Sequence, residues 1–390
     1  MSKVRHIIRS RFINPILEFI HDSRAVGITL FVCTIISMVL ANTGAAERYI
    51  GFWNMELHAP EILHLPHSLL HWINDLLMAA FFFLVGMEIK RELLAGELSS
   101  FKKSIMPIAA AIGGMLAPAG IFLLFNAGTG FQHGWGIPMA TDIAFSLGVA
   151  SLLGKKVPFS LKVFLMALAI IDDLGAILVI ALFYGGDVQV KFLLAGAAIC
   201  VALFILGKTK MKFNFIHIIL GLLLWYVVFR SGIHATIAGV VFALFVPLKD
   251  LSNFIHRLHD PVNFLILPIF ALANTAIPIP SDFAGAISTS LSWGIIAGLV
   301  IGKPLGITFM SWLTVKLRLG EKPKGSTWFQ LGGIGALAGI GFTMSIFISM
   351  LAFREVENQD ISKIATLIAS LAAVFIGYLW LNFPGKKNPN

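Results

Sequence analysis

Twelve apolar segments, each close to the length that crosses a bilayer, leave this chain few ways to fold. They run 25–41, 69–87, 105–125, 135–153, 161–183, 191–207, 214–229, 233–248, 262–280, 292–315, 329–353 and 361–382. Lipid offers no partner for a bare N–H or C=O, so a spanning segment of about 20 residues satisfies its backbone internally as a helix. Of the 390 residues, 13% are charged, against about 25% in an ordinary soluble domain. With 57% hydrophobic residues and a mean hydropathy of +0.87, there is too little polar surface for a water-soluble globule or a disordered chain. The runs are continuous, which argues against the short alternating strands of an outer-membrane barrel. The expectation is an all-α membrane protein of about twelve transmembrane helices, folded as one integral domain over 1–390. Cys33 and Cys200 both sit in apolar runs and offer no disulfide framework.

The basic residues set the orientation. If the N-terminus is inside, 23 of the 29 Lys and Arg fall on the inner side, five fall outside, and Lys303 is left within a span. That split is a strong positive-inside signal, so the +9 net charge serves topology rather than nucleic acid. Both termini are then cytoplasmic. Residues 1–24 read as an interfacial segment, 42–68 as a long periplasmic loop, and 383–390 as a cytoplasmic tail.

Charges deep in lipid cost about 2.5–3.5 kcal/mol each on insertion scales and are functional candidates by default. Asp142, Asp172, Asp173 and Lys303 lie near the centres of their spans. In LMALAIIDDLGAILV the two carboxylates point about 100° apart on the helix, so both can border one cavity without facing each other. Two like charges this close do not both ionise cheaply, so the pair titrates jointly. It is a place where protons and a hard cation compete for oxygen ligands. Asp75 is a secondary candidate nearer the outer boundary.

Two spans look interrupted. In GWGIPMATDIAFSLG, Pro138 precedes Thr141 and Asp142; in GGIGALAGIGFTMS, glycines including Gly339 and Gly341 precede Thr343 and Ser345. The fourth and eleventh spans cross in opposite directions, so spans 3–5 and 10–12 form a candidate inverted repeat, with the broken helices crossing at the midplane as in secondary transporters. Asp142 would then neutralise N-terminal dipole ends and Lys303 the C-terminal ends.

The motifs LMALAIIDDLGAI, ATDIAF, GKPLGI, SGIHATIAG, ILPIFALANT and GIGFTMSIF resemble the NhaA-type sodium/proton antiporters of bacterial inner membranes. The likeness runs from about Ile28 to Trp380. Inverted repeats are already known in that family. The resemblance implies Na⁺ held at Asp172 and Asp173, with Asp173 the principal ligand and Lys303 paired with Asp172. It puts Thr141 and Asp142 at the helix crossing and a cytoplasmic funnel below the aspartates. Glu88, Arg91, Glu92, His256 and His259, the last two in an inner loop, would form the pH-responsive cluster, with His234 a further pH-linked residue. Ile255 stands where that cluster would carry an acid, which changes the set-point. The 42–68 loop lies where the family forms a homodimer, with a different sequence. The implied activity is electrogenic, pH-dependent export of Na⁺ or Li⁺ against external protons, without cofactor or enzymatic chemistry. The alternatives are an intramembrane hydrolase and a cation channel. Adjacent helical aspartates cannot face each other across one water as a di-aspartyl hydrolase requires, and no GxxxxGK[ST], HExxH or GxSxG motif is present. A channel needs a symmetric ring of ligands.

Overall fold

The computed structural model describes residues 23–58, 64–209 and 213–383. The expected interfacial segment lies outside the described residues except for its last two positions, as do 59–63 of the long loop and 384–390 of the tail. The described residues form helices and no strand; a lone antiparallel bridge joins Glu56 to Ser68. In chain order α1 is Ser23–Ala41, α2 Ala46–Trp53, α3 Leu69–Ala95 and α4 Phe101–Asn126. Then come α5 Ile143–Leu152, α6 Phe159–Phe183, α7 Val190–Lys208 and α8 Phe215–Arg230. They are followed by α9 Ile237–Ala243, α10 Leu248–Pro261, α11 Leu267–Asn274 and α12 Phe283–Ser288. The last four are α13 Ser290–Lys316, α14 Trp328–Ala338, α15 Phe342–Ala352 and α16 Val356–Asn382.

The fold class is as expected, but not every segment is one long helix. Among the described residues eight helices are long and apolar enough to cross a membrane, and α14 with α15 makes a ninth, bent by 47°. The 233–248 segment contains only the 7-residue α9. Its C-terminal end is closed from outside, because the Lys90 ammonium donates to the carbonyls of Leu244 (2.7 Å) and Val246 (2.6 Å). The 262–280 segment is the buried second half of a longer helix: α10 runs through a π-helical turn at Val262–Ile266 into α11. His256 and His259 therefore stand on a helix, not in the loop expected of them. The reason is amphipathicity: Leu251 and Ile255 bury one face of α10 while both histidines stay exposed on the other.

Close backbone approach holds the centre together. A Cβ on Gly306 of α13 would collide with the carbonyl of Gly113 in α4, and one on Gly113 with the carbonyl of Gly306. Small residues at such crossings replace the hydrophobic drive that lipid cannot supply. A second π-helical turn, Gly298–Gly302, sits in α13 immediately before Lys303. Turns of this kind re-aim the residues that follow them.

Candidate ion-binding site

The fourth span begins as a tight 3₁₀ stretch, Gln132–Met139, opens into extended backbone at Ala140–Asp142, and resumes as α5. Across from it, α14 stops at Ala338 and α15 starts at Phe342. The two interruptions are tied directly, since the Asp142 amide donates to the Ile340 carbonyl at 2.7 Å. A Cβ on Gly339 would strike the Leu299 carbonyl oxygen, so the residue is small because backbone crosses there.

Four broken half-helices leave buried, unpaired backbone groups in a membrane interior, and each must find a partner. Asp142 serves both N-terminal ends. Its carboxylate accepts from the Phe145 amide of α5 at 2.9 Å, and from the Thr343 amide and hydroxyl of α15 at 3.2 and 2.6 Å. The C-terminal ends are handled differently from the expectation. The Thr141 hydroxyl lies 2.9 Å from the Ala338 carbonyl, Ser146 donates to Leu337 at 2.9 Å, and Ser345 donates to Ile137 at 2.7 Å. Lys303 bonds none of these carbonyls; its Nζ contacts Asp172 Oδ2 and Thr141 Oγ1, each at 2.5 Å. Neutral hydroxyls satisfy the carbonyls, and the single cation goes to the carboxylate, where its charge matters more.

The adjacent aspartates are split as their helical angle requires. Asp172 turns toward Lys303 and Thr141, which lies 2.8 Å from the same carboxylate oxygen. The single Thr141 hydrogen serves either Asp172 or Ala338. Asp173 does not share these contacts and instead lines a cavity of about 500 Å³. Both aspartates and Lys303 are at most 2% exposed. The Oδ1 atoms of Asp172 and Asp173 are buried without a hydrogen-bond partner. Two such oxygens on adjacent residues can take a proton or ligate a small hard cation.

The cavity gathers most of the other candidates. Thr141, Asp142, Glu88, Arg91, His256 and His259 line it together with Asp173, and so does Ile255. Glu92 does not reach it; it is buried behind Arg91 and pairs with that guanidinium at 3.1 Å. His259 pairs with Asp260 at 3.2 Å. Gly339 and Gly341 stay at the crossing. Asp75 lies in a third π-helical turn, Ile73–Leu77, where Trp225 donates to its backbone carbonyl at 3.1 Å. The residue missed in the sequence is Ser146, which shows no signal beyond an isolated hydroxyl in an apolar helix; Lys90, grouped in the sequence with Glu88, Arg91 and Glu92, instead holds the Leu244 and Val246 carbonyls.

His234 is not in the cavity. Its Nε2 lies 2.6 Å from the Tyr184 carbonyl, and the Tyr184 hydroxyl donates to the His133 carbonyl and accepts from the Gly136 amide. The imidazole thus leans on the first half of the interrupted fourth span.

The family model described as Na⁺/H⁺ antiporter 1 matches residues 17–381. A Na(+)/H(+) antiporter NhaA of Cytophaga hutchinsonii is 48% identical over 376 residues, covering 95% of each chain. Na(+)/H(+) antiporter NhaA 2 of Flavobacterium johnsoniae is 48% identical, covering 95% of this chain and 93% of its own. The Na(+)/H(+) antiporter NhaA of Escherichia coli O1:K1 is 44% identical, covering 93% of this chain and 97% of its own.

Proposed function

This chain belongs to the Na⁺/H⁺ antiporter 1 family, and from that premise we propose how its own residues carry out sodium/proton exchange. Na⁺ enters the cavity from the basic end of the bundle and is ligated by Asp173 with Asp172. The basic end faces the cytoplasm of a bacterium whose inner membrane holds the protein, with both termini on that side. Sodium leaves outward as protons return, and Li⁺, another small hard cation, follows the same path. The observation behind this reading is a buried carboxylate, Asp173, whose Oδ1 has no hydrogen-bond partner, in the lining of a cavity it shares with Asp142, Glu88 and Arg91.

The exchange is electrogenic, with two protons for each sodium. Asp173 carries one proton. The second is carried by Asp172, or by Lys303 if that amine gives up its proton when Asp172 takes the ion. Protons and Na⁺ compete for the same oxygens, so sodium affinity falls as pH falls. Glu88, Arg91, His256 and His259 surround the ion's way in and couple the exchange to cytoplasmic pH; Glu92 acts by holding Arg91. Thr141, Asp142, Gly339 and Gly341 keep the half-helices registered around the ion. A homodimer forms through the 42–68 loop, where Glu56 and Ser68 already bring two extended segments together.

The test is a proton-gradient assay in everted vesicles containing the protein. Adding Na⁺ or Li⁺ to acid-loaded vesicles is expected to release the gradient, more strongly as pH rises from 6.5 to 8.5. No cation-dependent release at any pH would sink the reading.

A further inference from the structure

Away from the ion path, a cavity of about 890 Å³ opens at the lysine- and arginine-rich end of the bundle. Its walls are the start of α4, the start of α6 and the loop that follows α13. Met106, Phe159 and Val163 supply an apolar side, and Phe159 is 80% exposed. Arg318, Lys322 and Lys324 line the opposite side, with Glu321 the one carboxylate in the lining. No ion pair among the described residues involves any of these three cations. Lys322 reaches only the Trp328 ring, 5.8 Å from its centroid.

Arg318 has a backbone that does not suit it. Helix α13 closes with the Arg318 amide donating to Val315 and the Leu319 amide to Thr314, both at 3.0 Å. That pattern puts Arg318 in the left-handed conformation, at φ 56, where glycine is the usual residue. Glycine does occur nearby, at Gly320, yet the strained position holds an arginine.

We propose that this groove is a binding site for an anionic phospholipid. Its phosphate would lie among Arg318, Lys322 and Lys324, and its acyl chains along Phe159, Val163 and Met106. Three unpaired cations over an apolar wall, at the level where three spanning helices end, complement a negative headgroup on a hydrocarbon tail. The site has a structural consequence. The Ser160 hydroxyl at the head of α6 donates to the Lys324 carbonyl at 2.7 Å, so the groove joins the helix bearing Asp172 and Asp173 to the loop that follows the helix bearing Lys303. A bound lipid would clamp the two together.

Thermal unfolding of the full chain in detergent tests this. Phosphatidylglycerol is titrated against phosphatidylcholine of the same acyl chains and against inorganic phosphate. Phosphatidylglycerol is expected to raise the melting temperature by roughly 3 °C or more, and the other two by less than half of that. The triple change Arg318→Gln, Lys322→Gln, Lys324→Gln should remove the difference, while the charge-matched control Lys155→Gln, Lys208→Gln, Lys249→Gln should keep it. Arg318→Gly guards against a triple variant that fails to fold. It relieves the left-handed backbone, so the lipid-free protein should melt at or above wild type while its response to phosphatidylglycerol shrinks. Equal stabilisation by phosphatidylcholine or by inorganic phosphate would overturn the proposal. So would an undiminished phosphatidylglycerol response in Arg318→Gly and, where it folds, in the triple variant.

Discussion

Asp173→Asn is expected to abolish sodium-dependent proton movement while the protein still assembles in the membrane. The asparagine keeps the shape of the carboxylate and removes both things the exchange uses: an exchangeable proton and a full negative charge for the cation. The rest of the crossing should survive, because among the described residues no hydrogen bond of the half-helices runs through Asp173, and its Oδ1 has no hydrogen-bond partner. Near-normal exchange in everted vesicles, from protein at wild-type abundance and melting temperature, would remove Asp173 from the site. The neighbouring Asp172→Asn is a different experiment, since that carboxylate also holds Lys303 and Thr141.

Lys303→Ala should produce the largest loss of stability. It leaves Asp172 as a charge that is 1% exposed and lacks its ion-pair partner. Breaking one side of a buried pair costs about 3–5 kcal/mol, mostly through the charge left behind. The loss should therefore shrink when Asp172→Asn is added, and the double-mutant cycle should show coupling of about 1–3 kcal/mol. Strictly additive melting-temperature changes would mean that the amine and the carboxylate do not stabilise one another. The structure adds a further expectation: Thr141→Val should weaken the same pair, because its hydroxyl stands between Lys303 and the Ala338 carbonyl.

Much of this arrangement is legible in the residues, and the exceptions have physical causes. Length and polarity place the long spans, because lipid forbids any other use of twenty apolar residues. Pro138 and the Gly339–Gly341 stretch mark the interruptions, and a lone Asp142 beside one of them reads as the partner of exposed helix ends. What fails is anything decided by a partner distant in sequence. Lys90 reaches the carbonyls that follow α9 from another helix altogether, and nothing within 233–248 records that contact. Helix α3 reads as ending near 87 because Glu88, Arg91 and Glu92 are charged, yet it continues to Ala95, since those side chains face a wet cavity and one another rather than lipid. The π-helical turns before Lys303 and around Asp75 add one residue to a helical turn without any compositional mark. The allotment of the two aspartates, Asp172 to the lysine and Asp173 to the cavity, follows from their angle only once the position of Lys303 is known. Ile255 keeps its departure: it lines the cavity as an apolar residue among Glu88, Arg91 and His256.

The proposed competition of sodium and protons for the Asp173 carboxylate is directly measurable. Calorimetric titration of the purified protein with NaCl, repeated in buffers of different ionisation enthalpy, counts the protons released as each sodium binds. The two-proton scheme predicts release of about two protons per sodium near neutral pH, an apparent affinity that weakens steadily on acidification, and no sodium-linked heat in Asp173→Asn. Sodium binding that releases no protons, with an affinity unchanged across the pH series, would contradict it.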